Sequence, residues 1–165
     1  MDVLEAIRTK RAVRQFKPEP VAQAVIEQIL DAGRRSQSSK NTQPWQFVVV
    51  RDRETLKALS EAGNFATHLA GAAFAVTLVG TQKTMWNAFD LGQASAYLQL
   101  AAWDLGVGSC IATIHDEAKG KALLGIPNEM NFMLALSFGY PARDAVPAKL
   151  GGRKPLSDVV RWEKW

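Results

Sequence analysis

The stretch Ser38-Ser39-Lys40-Asn41-Thr42-Gln43-Pro44-Trp45-Gln46-Phe47-Val48-Val49-Val50 governs the reading of the whole chain. Its second half ends in the apolar run Phe47 to Val50, rich in β-branched side chains, and predicts a buried strand. Its first half is polar. Pro44 fixes its own φ and pushes Gln43 toward an extended conformation. The hydroxyls and amides of residues 38–43 are therefore presented in a stiff loop just ahead of a strand. A polar loop held by a rigid element is where a ligand headgroup can be gripped.

Outward from this stretch, apolar periodicity lays out the remaining elements. Val21, Val25, Ile26, Ile29 and Leu30 follow the 3.6-residue period of a helix over Val21–Ala32, with Gly33 placed as its stop. Val3–Arg8 reads as a short helix, and Arg53–Ala62 as an amphipathic one on Leu56 and Leu59. Ala73–Val79, Ser109–Ile114 and Phe132–Phe138 read as three further strands. Trp86–Leu105 is the longest helix, apolar around nearly its whole circumference, which fits a central core position or a subunit interface. Asp116 is placed to cap a short helix ending at Leu124. Helices and strands mix without strict alternation, so the expected fold class is α+β, helices around a central mixed sheet.

The chain has 165 residues, expected to form a single domain over 1–165, and 47% are hydrophobic, enough for a proper core. No apolar run reaches the ~18 residues of a membrane span. The opening Met1-Asp2-Val3-Leu4-Glu5 does not read as a signal peptide. The single cysteine, Cys110, excludes an intramolecular disulfide and suits a reducing, cytoplasmic setting. Net charge is +4, but residues 8–17 hold five cations and no acid; outside them fifteen cations face sixteen anions. Such local basicity suits a small anionic ligand, whereas a nucleic acid calls for a wider basic face.

Four clusters carry the candidate chemistry. The first is Lys10-Arg11-Ala12-Val13-Arg14-Gln15-Phe16, with two guanidinium groups suited to bidentate phosphate binding. The second is Arg35-Ser36-Gln37-Ser38-Ser39-Lys40-Asn41, whose hydroxyls, amides and free N–H groups suit phosphate or a heteroaromatic edge. The third is Gly106-Val107-Gly108-Ser109-Cys110-Ile111-Ala112, where glycines permit close backbone approach and Cys110 reads as a buried, inert thiol. The fourth is Gly151-Gly152-Arg153-Lys154-Pro155-Leu156. Each of these also fits an ordinary turn or loop. No Rossmann or P-loop glycine motif occurs, and His68 and His115 have no second ligand at metal spacing. Trp162 and Trp165 suggest that the last residues pack on the chain's own body or on a second subunit.

In order along the chain, these segments resemble the FMN-dependent nitroreductase family. Lys-Arg-Ala-Val-Arg-Gln-Phe at 10–16 looks like its Arg-Arg-Ser-x-Arg-x-Phe/Tyr, and residues 38–45 are similar to its Ser-x-x-Asn-x-Gln-Pro-Trp. The long helix running into Leu105-Gly106-Val107-Gly108-Ser109-Cys110 resembles the central dimer helix and flavin-contacting strand. Arg153-Lys154-Pro155-Leu156 resembles the C-terminal signature. The resemblance implies an intertwined homodimer of nitroreductase-like sandwiches, its sheet mainly antiparallel, binding FMN at the interface. Carried over, Lys10, Arg11 and Arg153 meet the phosphate and Arg14 the pyrimidine edge, with Ala12 in the same motif. Arg35, Gln37, Ser38, Ser39 and Asn41 come from the partner, and Ile111, Ala112 and Thr113 run beside the isoalloxazine, offering backbone N–H groups near its N5 and O4.

The family departures are Ala12 for Ser, Lys10 for Arg and Gln37 for Pro. Only about Thr81–Met85 separates the second strand from the long helix, so no substrate-covering insertion is expected. The implied activity is hydride transfer from NADPH or NADH through flavin N5 to a small electron-poor acceptor (nitroaromatic, quinone or enone), in ping-pong turns. No protein acid or base is singled out. A flavin-binding or sensory protein without turnover is the alternative. Neither nucleic acid nor membrane is an expected partner.

Overall fold

Side-chain alternation along Phe74–Gly80, the strand β2, sets the layering of the molecule. Phe74, Val76 and Leu78 pack to one side, while Ala75 and Val79 pack to the other, and every residue of the strand is buried. A strand buried on both faces needs a layer of helices on each. The computed structural model, which describes residues 1–142 and 152–165, has that architecture.

The first layer holds α2 (Gln23–Arg34) and the twenty-residue α4 (Met85–Asp104). Ile26 and Ile29 of α2 meet Leu91, Ala94, Leu98 and Ala102 of α4 over the sheet. The second layer holds α3 (Arg53–Ser60) and α5 (Glu117–Leu124), with Leu56, Leu59 and Leu69 over Ala75, Ala112 and Ala135. Within the sheet the rings of Phe74 and Phe138 stack with centroids 4.8 Å apart. Such a pair adds about 0.5–1.5 kcal/mol beyond area burial.

The remaining strands are β1 (Trp45–Val50), β3 (Gly108–Thr113) and β4 (Asn131–Gly139), and the sheet order is β1-β2-β4-β3, antiparallel throughout. The expected mixed character survives only as a parallel bridge between Ala12 and Ser109. Beyond Leu78↔Leu134 the pairing resumes at Val79↔Phe132, so β4 carries one extra residue there. This bulge turns Phe132 into the second layer, although Leu134 and Leu136 face the first.

Two local expectations are corrected. Gly33 does not stop α2, which continues to Arg34. A Cβ at Gly33 would lie 2.5 Å from Leu98 Cδ2, so this glycine lets α2 and α4 approach closely. Gln43 is not extended: it has φ 48°, following Lys40 at 52° and Asn41 at 55°. The Ser38 hydroxyl accepts from Gln43 N–H at 2.9 Å and Ser39 C=O from Thr42 N–H at 3.1 Å. These closures hold the loop in left-handed conformations that non-glycine residues adopt at a cost of ~1 kcal/mol or more each.

The short helix α1 (Val3–Thr9) is capped by Asp2, and α6 (Leu156–Val159) opens the C-terminal segment. That segment makes little contact with its own body: Trp162 is 85% exposed and Trp165 fully so. Gly151 of the predicted Gly-Gly-Arg-Lys-Pro cluster lies outside the described residues.

Candidate functional site

After Thr9 the chain leaves α1 in an extended conformation and lies along the outer edge of β3. Val13 N–H donates to Ser109 C=O at 2.9 Å. Gly108 makes this approach feasible, because a Cβ there would come within 2.7 Å of Val13 Cβ. Since the Ser109 carbonyl points outward, the alternation of an antiparallel ladder points the N–H and C=O of Ile111 and Thr113 outward too. Those of Cys110 and Ala112 point to their partners Ser137 and Ala135 in β4. The expectation that Ile111, Ala112 and Thr113 all offer backbone groups is thereby narrowed to Ile111 and Thr113. Ile111 is 48% exposed, whereas Ala112 is buried.

Past the end of this arm the segment between α3 and β2 returns to the same edge. Ala62 C=O accepts from the N–H groups of His115 and Asp116, each at 2.9 Å. Between arm and segment opens a cleft of about 610 Å³, lined by Arg14, Gln15, Asn64, Phe65, Thr67 and His68. A second, smaller cleft near Lys17, Arg51 and Arg53 shares no residue with the predicted set.

Arg14 is the cation in the lining of the first cleft. Arg11 and Arg14 are exposed. Lys10 instead turns inward, donating from Nζ to Gln99 Oε1 of α4, and burial pulls its ammonium below the ordinary lysine range. Behind β3, burial pushes the Cys110 thiol up, against the pull of Arg14 and Lys10. A buried, protonated thiol is a poor nucleophile.

The polar loop sits elsewhere on the protomer. Ser39 N–H donates to Asp90 Oδ2 at 3.2 Å, and Gln93 Nε2 donates to Gln37 C=O at 3.4 Å. Ser38 closes the loop through Gln43, Asn41 is exposed, and Arg35 pairs with Asp31 at 2.6 Å. Loop and arm thus attach to opposite halves of α4, at Asp90 and Gln99, about 14 Å apart along the axis at 1.5 Å per residue. Arg153 is exposed in the C-terminal segment, with a hydrogen bond to Gly152 C=O. The chain therefore brings Lys10, Arg11, Ala12, Arg14, Ile111 and Thr113 to the β3 edge. It holds Arg35, Gln37, Ser38, Ser39, Asn41 and Arg153 apart from them.

Sequence reasoning missed Asn64, Thr67 and His68, which no motif marks, and Asp90, the buried carboxylate that anchors the polar loop. A carboxylate on an otherwise apolar helix was the available signal for Asp90.

The architecture is an antiparallel α+β sandwich with a polar cleft, bearing Arg14, at one sheet edge. The chain matches the profile of the Nitroreductase family over residues 7–64 and 63–140, and it belongs to that family. It is 37% identical over 173 residues to an Archaeoglobus fulgidus protein provisionally named an NADH dehydrogenase/NAD(P)H nitroreductase, with 99% of each chain covered. A provisionally named enzyme of the same description from Parabacteroides distasonis superposes with a TM-score of 0.89 at 26% identity, covering 98% of both chains. A provisionally named nitroreductase from Desulfovibrio desulfuricans, solved in complex with FMN, superposes at 0.84 with 25% identity. It covers all of this chain and 98% of that one. No helix among the described residues is long and apolar enough to cross a membrane.

Proposed function

We propose that this chain forms a homodimeric FMN oxidoreductase whose flavin lies in the β3-edge cleft. The observation that carries the reading is the outward backbone edge at Ile111, beside His68 in a cleft that Arg14, Asn64 and Thr67 also line. That set fits a planar heterocycle: edge N–H groups for ring acceptors, amide and hydroxyl for the pyrimidine, and a fixed cation for the charge that reduction creates. The bound flavin supplies two-electron chemistry, accepting hydride from NADPH or NADH and passing it to a nitroaromatic, quinone or enone. Arg14 holds its positive charge beside the pyrimidine end and favours the reduced state. Arg11 and Arg153 bind the phosphate.

The second subunit follows from what one protomer leaves open. Val3, Leu4 and Ile7 of α1, Trp86, Phe89 and Tyr97 of α4, and the tail tryptophans are exposed apolar side chains. Large exposed apolar side chains in this number fit an interaction surface. In a two-fold dimer built on α4, the loop at Asp90 of one subunit meets the arm at Gln99 of the other, which gathers the residues that a single chain keeps apart. Donor and acceptor use the same open face in turn, so the kinetics are ping-pong.

The test is the visible spectrum of the purified protein, followed by anaerobic NADPH or NADH and then an acceptor. A yellow dimer that bleaches and recovers its colour supports the reading. A flavin that never bleaches favours a non-catalytic flavoprotein, and a colourless protein that ignores added FMN overturns both.

A further inference from the structure

His68 is the buried titratable group that the proposed chemistry leaves without a task. It is 7% exposed, it lines the β3-edge cleft, and its Nε2 has no hydrogen-bond partner. Its Nδ1 lies 2.8 Å from Ser137 Oγ, and that hydroxyl donates to Cys110 C=O at 3.3 Å. A serine hydroxyl has one hydrogen. Donated to Cys110, it leaves the oxygen to accept from Nδ1–H. In that arrangement the neutral ring carries its proton on Nδ1 and a lone pair on Nε2.

The surroundings hold this arrangement near a tipping point. Burial, the largest influence, and the Arg14 guanidinium both keep a second proton off the ring, while the Ile111 carbonyl beside it favours the charged form. From β3 the Cys110 thiol faces the same space, held neutral by burial. From β4 comes the Ser137 hydroxyl, and among the described residues no carboxylate acts on the ring. Among the described residues Arg14 is the charge that opposes protonation, and it also lines the cleft. An anion placed against Arg14 cancels its field at His68.

We propose that His68 is a proton store for the cleft. It is neutral while the cleft holds no net negative ring charge, takes one proton on Nε2 when such charge is introduced, and surrenders it when the charge leaves. The proposal rests on the flavin reading above. A reduced nicotinamide loses hydride, two electrons and one proton, and the occupant of the cleft gains them together with one negative charge. Solvent supplies one further proton to Nε2. The acceptor then leaves with the hydride and one proton, reduced by two electrons, and His68 is neutral again. His68 acts here as a positioning residue for a proton beside the reacting ring, with Ser137 fixing the tautomer.

The experiment follows the imidazole nitrogens by NMR in protein loaded with FMN, oxidised and then reduced with dithionite. The chain has only two histidines, so His115→Gln assigns the signals. Expected is an Nδ1–H neutral ring in the oxidised state and an imidazolium in the reduced state at neutral pH. In parallel, the native protein should take up one more proton per two electrons than His68→Gln. That is a tenfold steeper pH dependence of the reduction equilibrium per pH unit, about 30 mV. Glutamine keeps a hydrogen bond to Ser137 but cannot hold the proton, so a purely structural role would leave the proton count unchanged. A His68 ring that stays neutral on reduction in yellow protein overturns the proton store and leaves the flavin reading standing. Failure to load FMN at all overturns both.

Discussion

The two faces of α4 offer the sharpest contrast in the molecule. Its inner face, Leu91, Ala94, Leu98 and Ala102, is sealed against α2 and the sheet. Its outer face presents Trp86 and Phe89, each 64% exposed, close in character to the free C-terminal tryptophans. The same helix satisfies one apolar face within the chain and leaves the other unmet. Burial within the chain and exposed apolar surface thus lie on opposite sides of one element.

Three perturbations break or sharpen that contrast. The largest effect is expected from ending the chain before Leu156, which removes α6 and the tail tryptophans while leaving both core layers intact. Light scattering should show the dimer replaced by a monomer, with FMN retention lost and the far-UV spectrum preserved. A truncated chain that remains dimeric would remove the tail from the interface. Next is Leu98→Ala, which should cost about 2–5 kcal/mol in denaturant unfolding, because a fully buried leucine leaves a cavity between α2 and α4. Phe89→Ala should instead lower stability only as protein concentration falls. If the two variants behave alike, the faces are not functionally distinct.

The smallest effect concerns charge away from both faces. Glu117 is held down to about 2 by Lys121 at 2.7 Å and Lys83 at 2.9 Å. Its folded value lies below the ordinary 4.5, so its contribution is present above that value and disappears as pH falls from about 4.5 to about 2. Because Glu117 is partly exposed, solvent screening keeps the effect small. Glu117→Gln should flatten the acid limb of a thermal melt, and an unchanged limb would remove this pair from the acid response.

The strands and long helices were legible because apolar periodicity is local. Leu56 with Leu59, and Leu98 with Leu91, declare their faces within a few residues of chain. Asp116 announced its helix start, and its Oδ1 accepts from Lys119 N–H at 2.9 Å. What failed to show was tertiary. Gly33 resembles a stop signal until Leu98 arrives from sixty-five residues away. Gln43 obeys the Ser38 hydroxyl, not the proline that follows it. The arm at 10–14 was visible as charge. Its companions Asn64, Thr67 and His68 were not, since an irregular segment carries no period and only the fold brings it to β3.

The extra residue in β4 makes that strand a ruler with an odd count. Editing its length by one unit would roll Phe132 from beneath one roof to beneath the other, and the ring that fills the α5 side would vanish from it. Change along this stretch is therefore confined to swaps or to insertions in pairs.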